Sequence, residues 1–188
     1  MRRIAKDELA AAEGASVADV IAPSLQVMFC GINPSRASGA VGHHFAGSGN
    51  RFWKVLHRAG FTDRELSPFE ERALLPLGIG ITNLVNRATK SAAELTRDEV
   101  RAGAAALERK VRRYRPHCVA CAGMTAYRIA FRRPRARVGR QREELTGATL
   151  WLLPNPSGAQ AAYQLDRLVE EFAALRRAMP PRRDGRRR

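Results

Sequence analysis

Residues 25–35, LQVMFCGINPS, hold an apolar run and its abrupt end. Leu25, Val27, Met28, Phe29 and Cys30 read as a short strand buried on both faces, because apolar residues occupy successive positions instead of alternating with polar ones. Gly31 to Ser35 then break the pattern with Gly, Asn and Pro, as a chain does on leaving a sheet. Asn33 stands at that exit. In α/β proteins the exit from a parallel strand is where ligands bind, yet an uncharged amide occupies it here instead of a carboxylate or histidine.

Three more runs share this form: Ile79–Leu84, Cys118–Ala122 and Thr149–Leu153, each ending in turn residues. Helical signals lie between them. Ser67-Pro68-Phe69-Glu70 combines a capping box with Pro at the first helical position, and Thr96-Arg97-Asp98-Glu99 repeats the box. After the second box, Val100, Ala104, Leu107, Val111 and Tyr114 share one face at the helical period. Phe52, Val55, Leu56 and Ala59 mark an amphipathic segment after Asn50, and Leu165, Leu168, Val169, Phe172 and Leu175 mark another after Gln164. Strands alternating with helices define an α/β fold with a short, mainly parallel four-stranded sheet covered on both faces. The loops after the strands are then the places to look for chemistry: 31–50, the stretch NRATK after the second strand, GMTAY after the third and NPSGAQA after the fourth.

The chain has 188 residues with 45% hydrophobic content, enough for one domain that needs no staples. Residues 1–20 read as an N-terminal extension, 21–179 as the domain, and the Pro- and Arg-rich 180–188 as a disordered basic tail. No stretch has the length of a membrane span and no apolar signal core opens the chain, so a soluble cytoplasmic protein, without membrane contact and monomeric, is expected. Basic residues number 33 against 18 acidic ones, for a net charge of +15, and all but four of the 33 are arginines. That excess favours a polyanionic partner, although solvated arginine-rich faces would give the same count. Cys30, Cys118 and Cys121 cannot all pair. The Cys118-x-x-Cys121 spacing lies inside an apolar run without a second pair, which favours core packing over metal or redox work.

Several chemistries fail on inspection. Gly42 and Gly47 have the separation of P-loop glycines, but Ser48 follows where a Lys is required. No G-x-G-x-x-G follows the first strand, and the H-x-E and P-C-x-x-C of zinc deaminases are absent. No acidic residue occurs between Ala22 and Asp63, so the expected site is neutral to basic and suits a substrate that is, or becomes, anionic. His43 and His44 are candidate acids, but adjacent side chains diverge and a loop-packing or phosphate-contact role is favoured.

Taken together, FCGINPS…GHHFAGSGNRFWKVLHRAGFT, GIGITNLVNRAT and LLPNPSG resemble the mismatch-specific uracil/thymine DNA glycosylases of the uracil-DNA glycosylase superfamily, in order, from about Ala22 to Ala178. The resemblance implies a three-layer α/β/α sandwich and an enzyme that flips uracil from a G·U mispair in duplex DNA and hydrolyses its N-glycosidic bond. Single-stranded DNA is a further candidate substrate. It implies no metal and no organic cofactor; iron–sulfur relatives need four cysteines and this chain has three. Asn33 matches the catalytic position and would orient the attacking water. Ile32, Ser35, Ser38, Phe45 and Asn83 fall in the base pocket, with Phe45 stacking on the flipped base and Asn83 reading its edge or supporting the water. Asn50 and Arg51 are suited to phosphate contact, and Asn155, Ser157, Gly158, Ala159 and Gln160 form the wedge loop. Turn, cap and core roles would also account for Asn33, Asn50, Asn83 and Phe45 taken singly. Ser35 replaces a Gly common among relatives, Asn83 replaces a Lys found in some, and Ala159 replaces a larger wedge residue. The rival reading is a catalytically silent, basic DNA-binding protein on the same fold.

Overall fold

A computed structural model describes the chain over residues 4–158 and 163–179. The sheet is built from β1 (Val27–Gly31), β2 (Ile79–Asn83), β3 (Cys118–Ala122), β4 (Gly139–Leu145) and β5 (Ala148–Leu153), in the order β2-β1-β3-β5-β4. The first four of these in space run parallel, and β4 is antiparallel to β5 at the edge. The α/β class holds, but the sheet has five strands, not four. β4, GRQREEL, carries no apolar run because an edge strand alternates half-buried with exposed positions and tolerates charge. Thr146 and Gly147, both with positive φ (48° and 86°), make the two-residue turn into β5, as a tight hairpin requires.

The remaining elements are α1 (Lys6–Ala11), α2 (Arg36–Val41), α3 (Phe52–Arg58), α4 (Arg97–Tyr114), α5 (Met124–Ala130) and α6 (Leu165–Ala178). The residues after the Ser67 box form a 3-10 segment, Pro68–Leu77, with Pro76 inside it. Side chains of β1 alternate between two fully buried layers, which is why its sequence reads as one unbroken apolar run. Val27 and Phe29 meet α3 and α6 in a core with Phe52, Leu56, Leu168 and Phe172. Met28 and Cys30 meet α4 and α5 in a core with Leu107, Val111, Val119 and Tyr127. Phe29 is central to the first layer, stacked on Phe172 at 5.7 Å and edge-on to Phe52 at 5.4 Å.

All three cysteines are buried and unpaired. Burial pushes the Cys118 thiol up to about 12, and a hydrogen bond with Cys30, reinforced by burial, holds the Cys121 thiol well above its usual value. Thiols that do not ionise are neither nucleophiles nor good metal ligands, in line with a packing role.

Residues 15–20 run along β2. Val20 bridges Ile81, Asp19 accepts from the Thr82 hydroxyl at 2.7 Å and pairs with Lys110 at 2.7 Å, and the Val17 N–H donates to Asn86 Oδ1. This segment is part of what supports the sheet's β2 edge.

Candidate active site

The parallel strands converge on a cavity of about 230 Å³ at their carboxyl ends, where the strand-exit rule places it. The exit loop of β1 is fastened to that of β2 through the backbone: Leu84 N–H donates to Gly31, Val85 to Ile32 and Thr89 to Pro34, while Arg36 N–H donates to Thr89. This brings Asn33 against the NRATK stretch. Its Nδ2 lies 3.1 Å from the Pro34 carbonyl oxygen, 3.0 Å from that of Arg87 and 2.8 Å from Thr89 Oγ1. The Thr89 hydroxyl donates its own proton to the Ser91 carbonyl, so all three neighbours can only accept. The amide orientation is thereby fixed, with Nδ2 toward this wall and Oδ1 left as an acceptor.

The rest of the β1 exit loop forms around α2. Ser35 is its N-cap, accepting from Ser38 N–H at 3.2 Å, and Gly42 ends it in the left-handed conformation. Ser38 is buried and its Oγ accepts from Ala46 N–H, which turns the chain back so that Phe45 enters the cavity wall. Phe45 has φ of 54°, a conformation a bulky residue adopts only when its surroundings impose it. Its ring stacks on Phe52 with centroids 4.0 Å apart. Gly31 leaves room for this: a Cβ there would stand 2.4 Å from Asn83 Oδ1 and 3.4 Å from the Phe45 ring.

Within the wall, His44 and Asn83 are both buried. His44 Nε2 is 3.0 Å from the Ala18 carbonyl oxygen and its Nδ1 is 3.3 Å from Asn83 Nδ2. A carbonyl can only accept, so Nε2 carries the proton and Nδ1 is an acceptor. Burial lowers the His44 pKa, opposed by Glu71, the Ala18 hydrogen bond and Asp19. The ring is therefore neutral near pH 7. Glu71 is buried too, with one oxygen 2.9 Å from His43 Nδ1 and the other accepting from His44 N–H. This carboxylate returns to the site from the 3-10 segment, beyond the acid-free stretch of sequence. Both histidines are tied into the loop by these contacts.

The second half of the site is the loop after β5. Asn155 Oδ1 accepts from Ser157 N–H in a local turn. Gly158 approaches Gly49 so closely that a Cβ would lie 2.5 Å from its carbonyl oxygen. The Arg51 guanidinium donates to the carbonyls of Pro156 (3.4 Å), Tyr163 (2.8 Å) and Ser157 (2.9 Å). Arg51 thus clamps this loop, a different arrangement from the phosphate contact its position had indicated. Asn50 Oδ1 accepts from Phe52 N–H in a local turn that leads into α3, whose N-cap is Arg51. Ala159 and Gln160 lie outside the described residues, as does the 180–188 tail.

Asn33, Ile32, Ser35, Ser38, Phe45, Asn50, Asn83, Asn155 and Ser157 all border the one cavity. Arg51 borders an adjoining, wider depression of about 1130 Å³ between α1, the 45–51 loop and residues 65–70. The sequence pointed to neither His44 as a wall residue nor Thr89 and Lys90, which also border the cavity. NRATK was singled out as a strand-exit loop, but nothing local in it announces which acceptor will face Asn33. Among the described residues no three His, Cys, Asp or Glu side chains gather as a metal would require.

A short parallel sheet with its cavity at the strand exits, an oriented amide and a facing aromatic define a class that family comparison makes explicit. A model described as the uracil DNA glycosylase superfamily matches residues 18–178, and the chain belongs to that superfamily. Its fold is similar to the solution NMR structure of a provisionally assigned uracil DNA glycosylase from Methanosarcina acetivorans, with a TM-score of 0.60 over 87% of this chain and 97% of that one. At 16% identity this likeness speaks to the fold alone.

Proposed function

We propose that the protein is a monofunctional uracil-DNA glycosylase of the mismatch-specific type, acting on uracil opposite guanine. The observation that carries the reading is the fixed amide of Asn33, whose Oδ1 is left at the cavity by three acceptors gathered around Nδ2. The cavity, about 230 Å³, is smaller than the ~300–1,000 Å³ typical of drug-sized ligands and suits a single flipped base.

In the reaction this supports, uracil lies against Phe45 with its edge toward Asn83. The bond between N1 and C1′ breaks first, giving a sugar with oxocarbenium character, and uracil keeps the electron pair as an anion. A water held by Asn33 Oδ1 then adds to C1′. The water's proton passes to solvent and the uracil anion is protonated on release, leaving free base and an abasic sugar. Because the electrophile is strong, positioning matters more than basicity, which an amide supplies. Lys90 at the cavity rim favours the departing anion. Guanine mispairs are favoured because a weakly paired base is the least costly to extrude, and the Ser35 hydroxyl in the wall narrows the space for thymine's methyl group.

Release of free uracil from a G·U duplex with enzyme in excess tests the reading, alongside A·U, G·T and single-stranded uracil. Fastest release from G·U supports it. Binding without any release would instead establish a silent DNA-binding protein, and equal rates on G·U and A·U would remove the mismatch assignment.

A further inference from the structure

We infer that His44 is a positioning residue for base discrimination: it locks the Asn83 amide in the orientation that accepts uracil and refuses cytosine. The inference rests on the glycosylase reading above. Asn83 directs Nδ2 at His44 Nδ1, 3.3 Å away, and its Oδ1 lies on the Gly31 side of the cavity. One Nδ2 hydrogen is engaged with the imidazole, and the other is available to a base edge together with Oδ1. That pairing of donor and acceptor complements uracil, whose O4 accepts and whose N3–H donates. Cytosine presents the reverse, an N3 that accepts and an N4 amino group that donates.

An asparagine amide could meet cytosine by turning over, since its two ends are nearly the same size. Here it cannot turn without placing Oδ1 against the lone pair of His44 Nδ1. The neutral imidazole in turn has no alternative tautomer that would receive an oxygen, and burial disfavours the doubly protonated ring that could. Moving its proton to Nδ1 would set the Nε2 lone pair against the Ala18 carbonyl, 3.0 Å away. The ring is only 2% exposed, and the flanking peptides are held as well, His44 N–H by Glu71 and the His44 carbonyl by Trp53 Nε1. A backbone carbonyl of the N-terminal segment thus fixes a tautomer, the tautomer fixes an amide, and the amide selects the base.

Two substitutions of the full chain separate this role from loop packing. His44→Asn places an amide oxygen about where Nδ1 stands, retaining an acceptor toward Asn83 but giving up the Ala18 contact. His44→Gln reaches the Nε2 position, retaining the Ala18 contact but offering Asn83 no acceptor. The readout is the ratio of single-turnover release of uracil to cytosine, each set opposite an abasic-site analogue so that neither is paired. His44→Gln should lower that ratio ~10-fold or more, since a site that cannot enforce its hydrogen bonds loses discrimination, while His44→Asn, which keeps an acceptor toward Asn83 without the Ala18 anchor, should lose less of it. If His44→Gln keeps the wild-type ratio, or loses less of it than His44→Asn does, the inference is overturned. A wild-type protein that releases no uracil would overturn the glycosylase reading itself. If either variant does not fold, nitrogen-15 chemical shifts of His44 in the wild-type protein decide: a neutral ring protonated at Nε2 upholds the lock, and any other form at pH 7 ends it.

Discussion

Asn33→Asp is the substitution that intuition would favour, since a carboxylate can both hold a water and take its proton. It exchanges Nδ2 for an oxygen and nothing else. That oxygen would face the Pro34 carbonyl at 3.1 Å and the Arg87 carbonyl at 3.0 Å with no proton between them, and Thr89 Oγ1 at 2.8 Å would have to abandon Ser91 to donate to it. Two acceptors without a donor cost about 1–3 kcal/mol each, so a carboxylate kept in place would destabilise the fold by about 2–6 kcal/mol. It can escape by swinging away, which moves the water-holding oxygen, or by taking a proton. In the second case its folded-state pKa rises above the ~3.9 of a free aspartate. A folded state that binds the extra proton gains stability as pH falls, so the variant's deficit should shrink toward pH 5. Single-turnover uracil release and thermal melting between pH 5 and 8 measure both effects. At pH 7 the variant should melt below wild type and excise more slowly. Asn33→Ala should lose ~100-fold or more while still binding mismatched duplex. An Asn33→Asp protein as stable and as active as wild type at pH 7 would refute the claim that the acceptor wall fixes the amide.

Gly31→Ala would press a methyl group to 2.4 Å from Asn83 Oδ1; because the atom displaced ends a side chain, melting should change little while uracil release drops ~10–100-fold. Arg51→Ala removes the donor to three loop carbonyls and should cost about 2–4 kcal/mol, read by melting, with easier proteolysis at residues 155–158; Arg51→Lys should not rescue it, since a point charge cannot span separated carbonyls. Burial lowers the His44 pKa against the pull of Glu71 and Asp19 and with the push of Lys110, so below the unfolded value of ~6.5 the unfolded chain binds the extra proton and stability falls with pH; His44→Asn should flatten that part of the melting profile. Duplex affinity should fall with salt by about 0.9 log units per phosphate contact for each log unit of salt, and a salt-independent dissociation constant would contradict the role assigned to the +15 charge.

The four parallel strands were legible because each is buried on both faces and therefore reads as an apolar run closed by Gly, Asn or Pro. β4 was not, since its arginines and glutamates satisfy an edge position and erase the apolar signal; the Thr146-Gly147 pair was the one local clue. The long helices announced themselves through caps and period and the seven-residue α3 through its large apolar side chains, whereas the similarly short α1 and α2 bury no apolar side chain and α5 buries two alanines and a tyrosine. In the site, the motif-bearing loops were located correctly, but the partners of each side chain were not. Arg51 could be placed at a helix start from sequence, but the three carbonyls it grips come from residues more than 100 positions away. Glu71 and Ala18 enter the site by the same route, through tertiary contacts that no local pattern encodes.

Those distant contacts explain why amides, and not carboxylates, occupy the strand exits. An amide has a donor end and an acceptor end; a carboxylate has only acceptors. At Asn33 the donor end grips a wall of oxygens, leaving the carbonyl oxygen as the free acceptor, and at Asn83 one amide hydrogen meets an imidazole nitrogen, leaving the oxygen and the second hydrogen. A carboxylate could not hold either wall without a proton. In the proposed reaction it would also place negative charge where uracil departs as an anion, raising the barrier in a site partly screened from water. The acidic groups that do approach are turned away from the cavity: Glu71 toward His43 and the His44 peptide, Asp19 toward Lys110 and Thr82. Among the described residues Lys90 is then the only charged side chain on the cavity wall, and its sign is the one that a leaving anion requires.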